Sequence, residues 1–419
     1  MATNGFCREI PTKREGENVA IIVCFFLGLG TLLPWNSVLT IADYYYQLFP
    51  DYHPSRVLTL VYQPCAVGTM AILAYNVAKM DTRKRNLVGF SLAFLGTLVL
   101  LLLDLGTSGK GGLSNYISVC VVVACYGIAD AHCMGGMSGD LSLMHPELLQ
   151  SYYAGLAGSG ALTSVLRLMT KGVFDKSDNG LRKGFLLFLS IAAVLGFLCI
   201  CTYTFIFPKL FIIKYYRSKA ASEGSKTIST ELTEVGVQTK RNYQGVGDNH
   251  LDRLSNKQLF FQNIDLALVI YLIYVLTLSI MPGFLFENTG IRKLGSWYAI
   301  VLVALYNVWD LIGRYVPVIK CIKLESRKGL LFACLSRFLL VPAFYFTAKY
   351  GDQGWMIMLV SLLGLTNGYL TVCVITIAPK GYKAPEQNAL GNLLTLCLLG
   401  GLLSGACLGW FWMIGKQNF

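Results

Sequence analysis

Asp310 and Arg314 are the two residues whose types and spacing best suit chemistry inside an apolar stretch. A helix places residues four apart on one face, where carboxylate and guanidinium can pair. Asn307 lies on the same face, one turn earlier. Ionisable side chains inside a membrane span cost about 2.5–3.5 kcal/mol each on insertion scales, so each needs a reason. Two reasons fit this pair. It fixes helix packing, or it forms a solute site offering acceptors and donors; desolvated pairs rarely add stability outright, which favours the site. Other polar groups sit equally deep. Asp130 and His132 lie near the middle of one apolar run, and Tyr62 and Gln63 near the middle of another. A buried Asp or a His can carry a proton, supply a polar contact, or simply pack. Asp130 and His132, two apart, do not share a face. Arg167 and Arg337 can snorkel or bind carbonyls. Arg337 with Glu386 is a candidate gate pair on the cytoplasmic side.

These residues need long apolar elements to hold them. Apolar runs fall at 19–43, 57–78, 87–104, 115–139, 151–170, 184–207, 263–284, 297–319, 329–348, 354–377 and 388–413, which is eleven spans. A helix rises 1.5 Å per residue, so about twenty residues cross a core of ~30 Å. The first run, Val19 to Tyr46, is unlike a plain anchor: Gly28 and Gly30 precede Pro34, Trp35 and Asn36. Glycine permits close approach of a neighbour, proline tends to kink the helix, and Asn36 must face protein or water. Trp35 offers a flat apolar wall. Both a kinked packing helix and a helix lining a solute pathway satisfy this stretch.

Apolar residues make up 54% of the 419 and charged residues only 14%, against about 25% in soluble chains. Mean hydropathy is +0.55. The expectation is an all-α polytopic membrane protein in a lipid bilayer. The net charge of +12 sits in a few connections and reads as topology, with no nucleic-acid partner expected. Lys79, Arg83, Lys84, Arg85, Lys320, Lys323, Arg327, Lys328, Lys380 and Lys383 join the basic 208–258 segment and Arg8, Lys13 and Arg14 on one side. Lys/Arg bias marks that side as cytoplasmic. An odd span number then puts the C-terminus outside. The segments are a cytoplasmic tail (1–18), six helices (19–207), a largely disordered cytoplasmic loop (208–258), five helices (259–413) and an exoplasmic tail (414–419). No nucleophile–base set, phosphate loop or metal cluster is present, so neither an enzyme nor a cofactor is expected.

Several stretches resemble one family. GLGTLLPWNSVLTIADYYY, Gly28 to Tyr46, is similar to the first helix of the equilibrative nucleoside transporters. Asn307 to Arg314 resembles their eighth-helix pattern, and Ala378-Pro379-Lys380 with Pro385-Glu386 the segment before their last helix. DYHPSRVLTLVYQP and FTAKYGDQGWMIML are most similar to plant members. The resemblance implies a 6+5 bundle like that of the major facilitators, alternating access, nucleoside substrates and the plasma membrane. It implies that Asp310 and Arg314 contact sugar hydroxyls and that Trp35 packs on the nucleoside, with Asn36 supporting the site or only the helix bend. Tyr62 and Gln63 fall on the base-facing wall or in packing. Several members carry Gln where this chain has Met134, so their base-edge contact and purine preference do not transfer. Asp130 or His132 can supply that contact or couple transport to H+. A sugar or a free nucleobase is the alternative solute, and a monomer is the expected state.

Overall fold

The computed structural model describes residues 16–174, 177, 179–223, 254–281, 284–285, 295–319, 321–350 and 353–413. These are helical almost throughout. In chain order the helices are α1 (Glu17–Thr40), α2 (Ala42–Leu48), α3 (Pro54–Tyr75), α4 (Thr82–Thr107), α5 (Leu113–Ser142), α6 (Pro146–Phe174), α7 (Gly180–Cys201) and α8 (Phe211–Ser222). There follow α9 (Asn256–Gln262), α10 (Ile264–Ile280), α11 (Tyr298–Tyr315), α12 (Arg327–Ser336), α13 (Leu340–Tyr350), α14 (Gln353–Ile377) and α15 (Ala384–Gly409). Among the described residues nine helical stretches are long and apolar enough to cross a membrane, or ten if the bent pair α9–α10 is one span.

One expected span is sharply bent, and two others run through as single membrane-length stretches with a local change of helix type. α9 and α10 meet at 77°. Asn263 sits at the bend, where its Nδ2 takes the Leu259 carbonyl at 3.1 Å and ends α9. The span expected over 329–348 divides at a 3-10 turn, Arg337–Leu339. Pro342 lacks the N–H that would bond Phe338 and its ring crowds that carbonyl, which favours the tighter 3-10 turn here. Pro208 acts likewise after α7, where the chain turns π-helical over Thr202–Ile206. Pro34 does not break α1, which is continuous from Glu17 to Thr40. Part of the expected loop 208–258 is ordered: α8 is pinned to α5 by Arg217 on Asp140 at 2.5 Å. Residues 224–253 of that loop, like 1–15 and 414–419, lie outside the described residues.

Small residues decide which helices touch. A Cβ on Gly28 would strike the Tyr152 carbonyl of α6, and one on Gly155 would strike the Phe25 carbonyl of α1. The two backbones therefore meet without side chains between them. Gly364 and Gly368 press α14 onto α11 in the same way, against the carbonyls of Tyr306 and Asp310. The first seven helices meet the last six along two seams: α6 against α11, and α3 with α5 against α15. α6 is enclosed on nearly every side from Leu148 to Ala161. Its tyrosines, serines and glycines face protein, which is why its hydropathy is low for its 29 residues.

Candidate functional site

The Asp310 and Arg314 side chains lie at the α6–α11 seam, each 5% exposed. Arg314 donates from Nε at 3.2 Å and Nη2 at 2.9 Å to Asp310 Oδ2. Its Nη1 crosses the seam to the Tyr153 carbonyl of α6. Gln150 on α6 returns a bond to the Arg314 carbonyl at 2.8 Å. A guanidinium has five N–H groups, so two remain beyond these three contacts. The second carboxylate oxygen accepts from Asn367 Nδ2 at 2.7 Å. Asn367 Oδ1 accepts from Thr277 at 2.7 Å, and Thr277 Oγ1 also accepts from Arg337 Nη2 at 3.3 Å. The close packing at Gly364 and Gly368 brings Asn367 to Asp310. Asn307 turns to α6, where its Nδ2 donates to Ser164 at 2.8 Å and its Oδ1 lies over Gly160.

A second constellation joins α1, α3 and α5. The Trp35 ring lies on the Tyr62 ring, with centroids 4.2 Å apart and planes within 9°. The Tyr62 hydroxyl donates to the Asp130 carboxylate. Asn36 beside Trp35 donates to Ser159 of α6 at 2.6 Å. Gln63 is 2% exposed and its Oε1 has no partner. Met134 is buried one turn below Asp130. His132 is half-buried with Nδ1 unpartnered and does not share the Tyr62 contact. The structure thus brings Trp35, Tyr62 and Asp130 together, and Asp310 with Arg314. Asn307 lies beside that pair but points elsewhere.

The expected pair of Arg337 with Glu386 is not formed. Arg337, in the 3-10 break, donates to Thr277 and to the carbonyls of Ile273 and Leu363. Glu386 accepts from the backbone N–H groups of Lys383 and Leu254, each at 3.2 Å, so it caps α15 and holds the chain entering α9. A carboxylate in the first turn of a helix is stabilised by those N–H groups, and this outcompetes a distant guanidinium. Arg167 does not snorkel; it pairs with Asp43 at the end of α6.

Some residues of the seams were missed in the sequence. Arg85 counts there as a connection residue, yet it is 4% exposed. Its Nη1 reaches Asn392 of α15 at 2.6 Å, and its Nη2 the Ala131 carbonyl at 3.1 Å. Next to it, Gly139 leaves room for Asn388 and Asn392. At the opposite end Arg56 donates to the Gly409 carbonyl at 2.9 Å and lies over the Trp410 ring. Polar residues in apolar runs were the only available signal, and it applies to Asn367, Asn388 and Asn392.

Transport proteins are among the solved structures whose arrangement of helices this chain resembles. Over 94% of this chain and 88% of the other, the fold matches the major-facilitator proton:xylose symporter XylE with a TM-score of 0.62 and 13% identity. A bacterial homologue of the iron transporter ferroportin matches over 94% and 92%, with a TM-score of 0.59 and 14% identity. The fold class is therefore a helical membrane bundle of the major-facilitator kind. Residues 118–414 match the family model described as nucleoside transporter. In Arabidopsis thaliana, equilibrative nucleotide transporter 3 is 61% identical over 97% of both chains, and equilibrative nucleotide transporter 6 is 60% identical over 98% of both. This chain belongs to the nucleoside transporter family.

Proposed function

We propose that this protein moves nucleosides across a membrane by alternating access, with Asp310 and Arg314 holding the ribose. The observation that carries this is the incomplete hydrogen bonding of Arg314. In a fully buried, charge-neutral pair, two N–H groups remain for ligand hydroxyls. The pair also spans the α6–α11 seam, so a solute bound there ties both sides together. The relatives' names speak of nucleotides. A phosphate dianion needs positive charge at the site itself, whereas Arg314 there is neutralised by Asp310; Arg85 and Arg337 keep their charge but spend N–H groups on neutral protein oxygens. A neutral nucleoside fits the Asp310–Arg314 pair better, and the aromatic wall of Trp35 and Tyr62 suits base plus sugar better than a hexose or a free base.

In this reading α6 and the bent α9–α10 unit are spans too, which brings the number to eleven in a 6+5 division around the 208–258 loop. The two bundles rock about the midplane. The Arg85–Asn392 and Arg56–Gly409 contacts part in turn as each face opens. The basic connections support a cytoplasmic N-terminus and a C-terminus outside, and the membrane of this reading is the plasma membrane. Trp35, Asn36, Tyr62, Gln63, Met134 and Asn307 complete the substrate wall, Asp130 and His132 are the proton carriers if transport is coupled, and the unit is a monomer. Uptake of radiolabelled uridine and adenosine by cells lacking nucleoside carriers tests the reading. Saturable uptake blocked by unlabelled nucleoside, and not by the monophosphate or by glucose, is expected. No uptake with protein confirmed at the surface would refute it.

A further inference from the structure

α3 presents Gln63 to the α15 seam. Arg56 and Gln63 are seven residues apart, two turns along one face of α3. Arg56 marks what that face meets, because it bonds the Gly409 carbonyl at the end of α15 and covers the ring of Trp410, the next residue. Thr59, one turn inward, lines a cleft with Arg56, Ala406 and Trp410. Gln63 is one turn deeper again, about 10 Å below Arg56 at 1.5 Å per residue. Further in, Arg85 reaches Asn392 and closes the seam. Gln63 therefore lies between the two closures of the seam, next in sequence to the Tyr62 ring that covers Trp35.

Its chemistry is unspent. The side chain is 2% exposed, and its Oε1 has no partner. Burying an amide oxygen without a donor is costly, so such groups mark places where something else supplies one. Two other polar groups of the proposed wall are occupied, Tyr62 by Asp130 and Asn36 by Ser159; His132 keeps a free Nδ1 but, two residues from Asp130, lies off the helix face that meets Tyr62. Met134, a thioether, has no N–H to read a base edge and accepts only weakly. An amide carries an acceptor and donors side by side. That is the complement of an amino group next to a ring nitrogen, as on adenine.

We infer that Gln63 is the base-reading residue of this carrier, its Oε1 accepting from the exocyclic amino group of an aminopurine or aminopyrimidine nucleoside. The inference rests on the nucleoside reading and adds the part of the base that is recognised. Ring stacking on Trp35 or Tyr62 tolerates any base, and Asp310 with Arg314 meets only the sugar. Discrimination among bases then falls to Gln63.

The test compares adenosine with purine riboside, which has hydrogen in place of the 6-amino group. The half-saturating concentration of each is measured in carrier-free cells expressing the full chain. In the native protein purine riboside should need about tenfold more than adenosine, the size of one lost buried hydrogen bond. Gln63→Met keeps the length and removes the amide. It should raise the value for adenosine about tenfold more than that for purine riboside, which loses only the ring-nitrogen contact, and so bring the two together. A uniform loss for both solutes would indicate a merely structural role and overturn the inference. So would a native protein that handles the two alike, a result that needs no variant to fold. In that case nucleoside transport itself stands, whereas absence of all uptake overturns both.

Discussion

Removing Asp310 alone should destabilise the protein more than removing it together with Arg314, while both changes abolish transport. In Asp310→Leu the guanidinium of Arg314 loses two of its three hydrogen bonds, at 2.9 and 3.2 Å, and stays buried as a bare charge. Breaking one side of a buried pair costs about 3–5 kcal/mol. Asn367 also loses its acceptor at 2.7 Å, a further cost of about 1–3 kcal/mol. Adding Arg314→Met removes the stranded charge and fills its volume, so most of the first term returns and only the Asn367 term persists. The assay is reversible unfolding of the purified protein in detergent, beside nucleoside uptake normalised to surface protein. We expect the double variant to be more stable than Asp310→Leu by at least about 2 kcal/mol, and all variants to be transport-dead. A double variant that transports would show the pair to be a packing device and refute the sugar-binding role. A double variant no more stable than the single would refute the charge argument.

Two further outcomes follow from the geometry. Gly155→Leu drives a side chain into the Phe25 carbonyl and should remove most folded protein from the membrane, overpacking costing about 1–3 kcal/mol or more; normal surface levels on immunoblot would contradict the α1–α6 contact. If transport is proton-coupled, Asp130→Asn abolishes the rise in uptake from pH 7.5 to 5.5, whereas Glu325→Gln leaves it intact. The sign for Glu325 is fixed by Lys380, whose ammonium at 2.8 Å holds the carboxyl below its ordinary 4.5. A depressed carboxyl is lost only as pH falls through that lower value, outside the assay window. A pH response that moves with Glu325 rather than Asp130 would reassign the sensor.

How much was legible beforehand depends on the range of the interaction. Asp310 and Arg314 pair within one helix, so their spacing sufficed. The close approach at Gly28 was legible because only a missing side chain lets two backbones touch, although the partner, Tyr152 of α6, was not. Arg85 looked like topology, since a basic residue at a helix start ordinarily faces water; its reach to Asn392, more than three hundred residues away, has no local signature. The Arg337–Glu386 pair failed for the converse reason. Two opposite charges suggested attraction, but each finds other partners: Glu386 takes the N–H groups of Lys383 and Leu254, and Arg337 the Thr277 hydroxyl and the carbonyls of Ile273 and Leu363 on neighbouring helices.

The sequence by itself determined that the chain is a set of membrane-length helices, because hydropathy and helix rise are local quantities summed along the chain. It also determined the charged pair on one helix, and the family through motifs in order. Only the tertiary structure decided that Tyr62 lies on Trp35 and is held by Asp130, that Arg314 spends one bond across the seam on Tyr153, and that Gln63 is left with an unused oxygen. Each depends on which helix faces lie opposite one another. Helical periodicity says which residues share a face, and the packing of glycine against backbone says which face it meets.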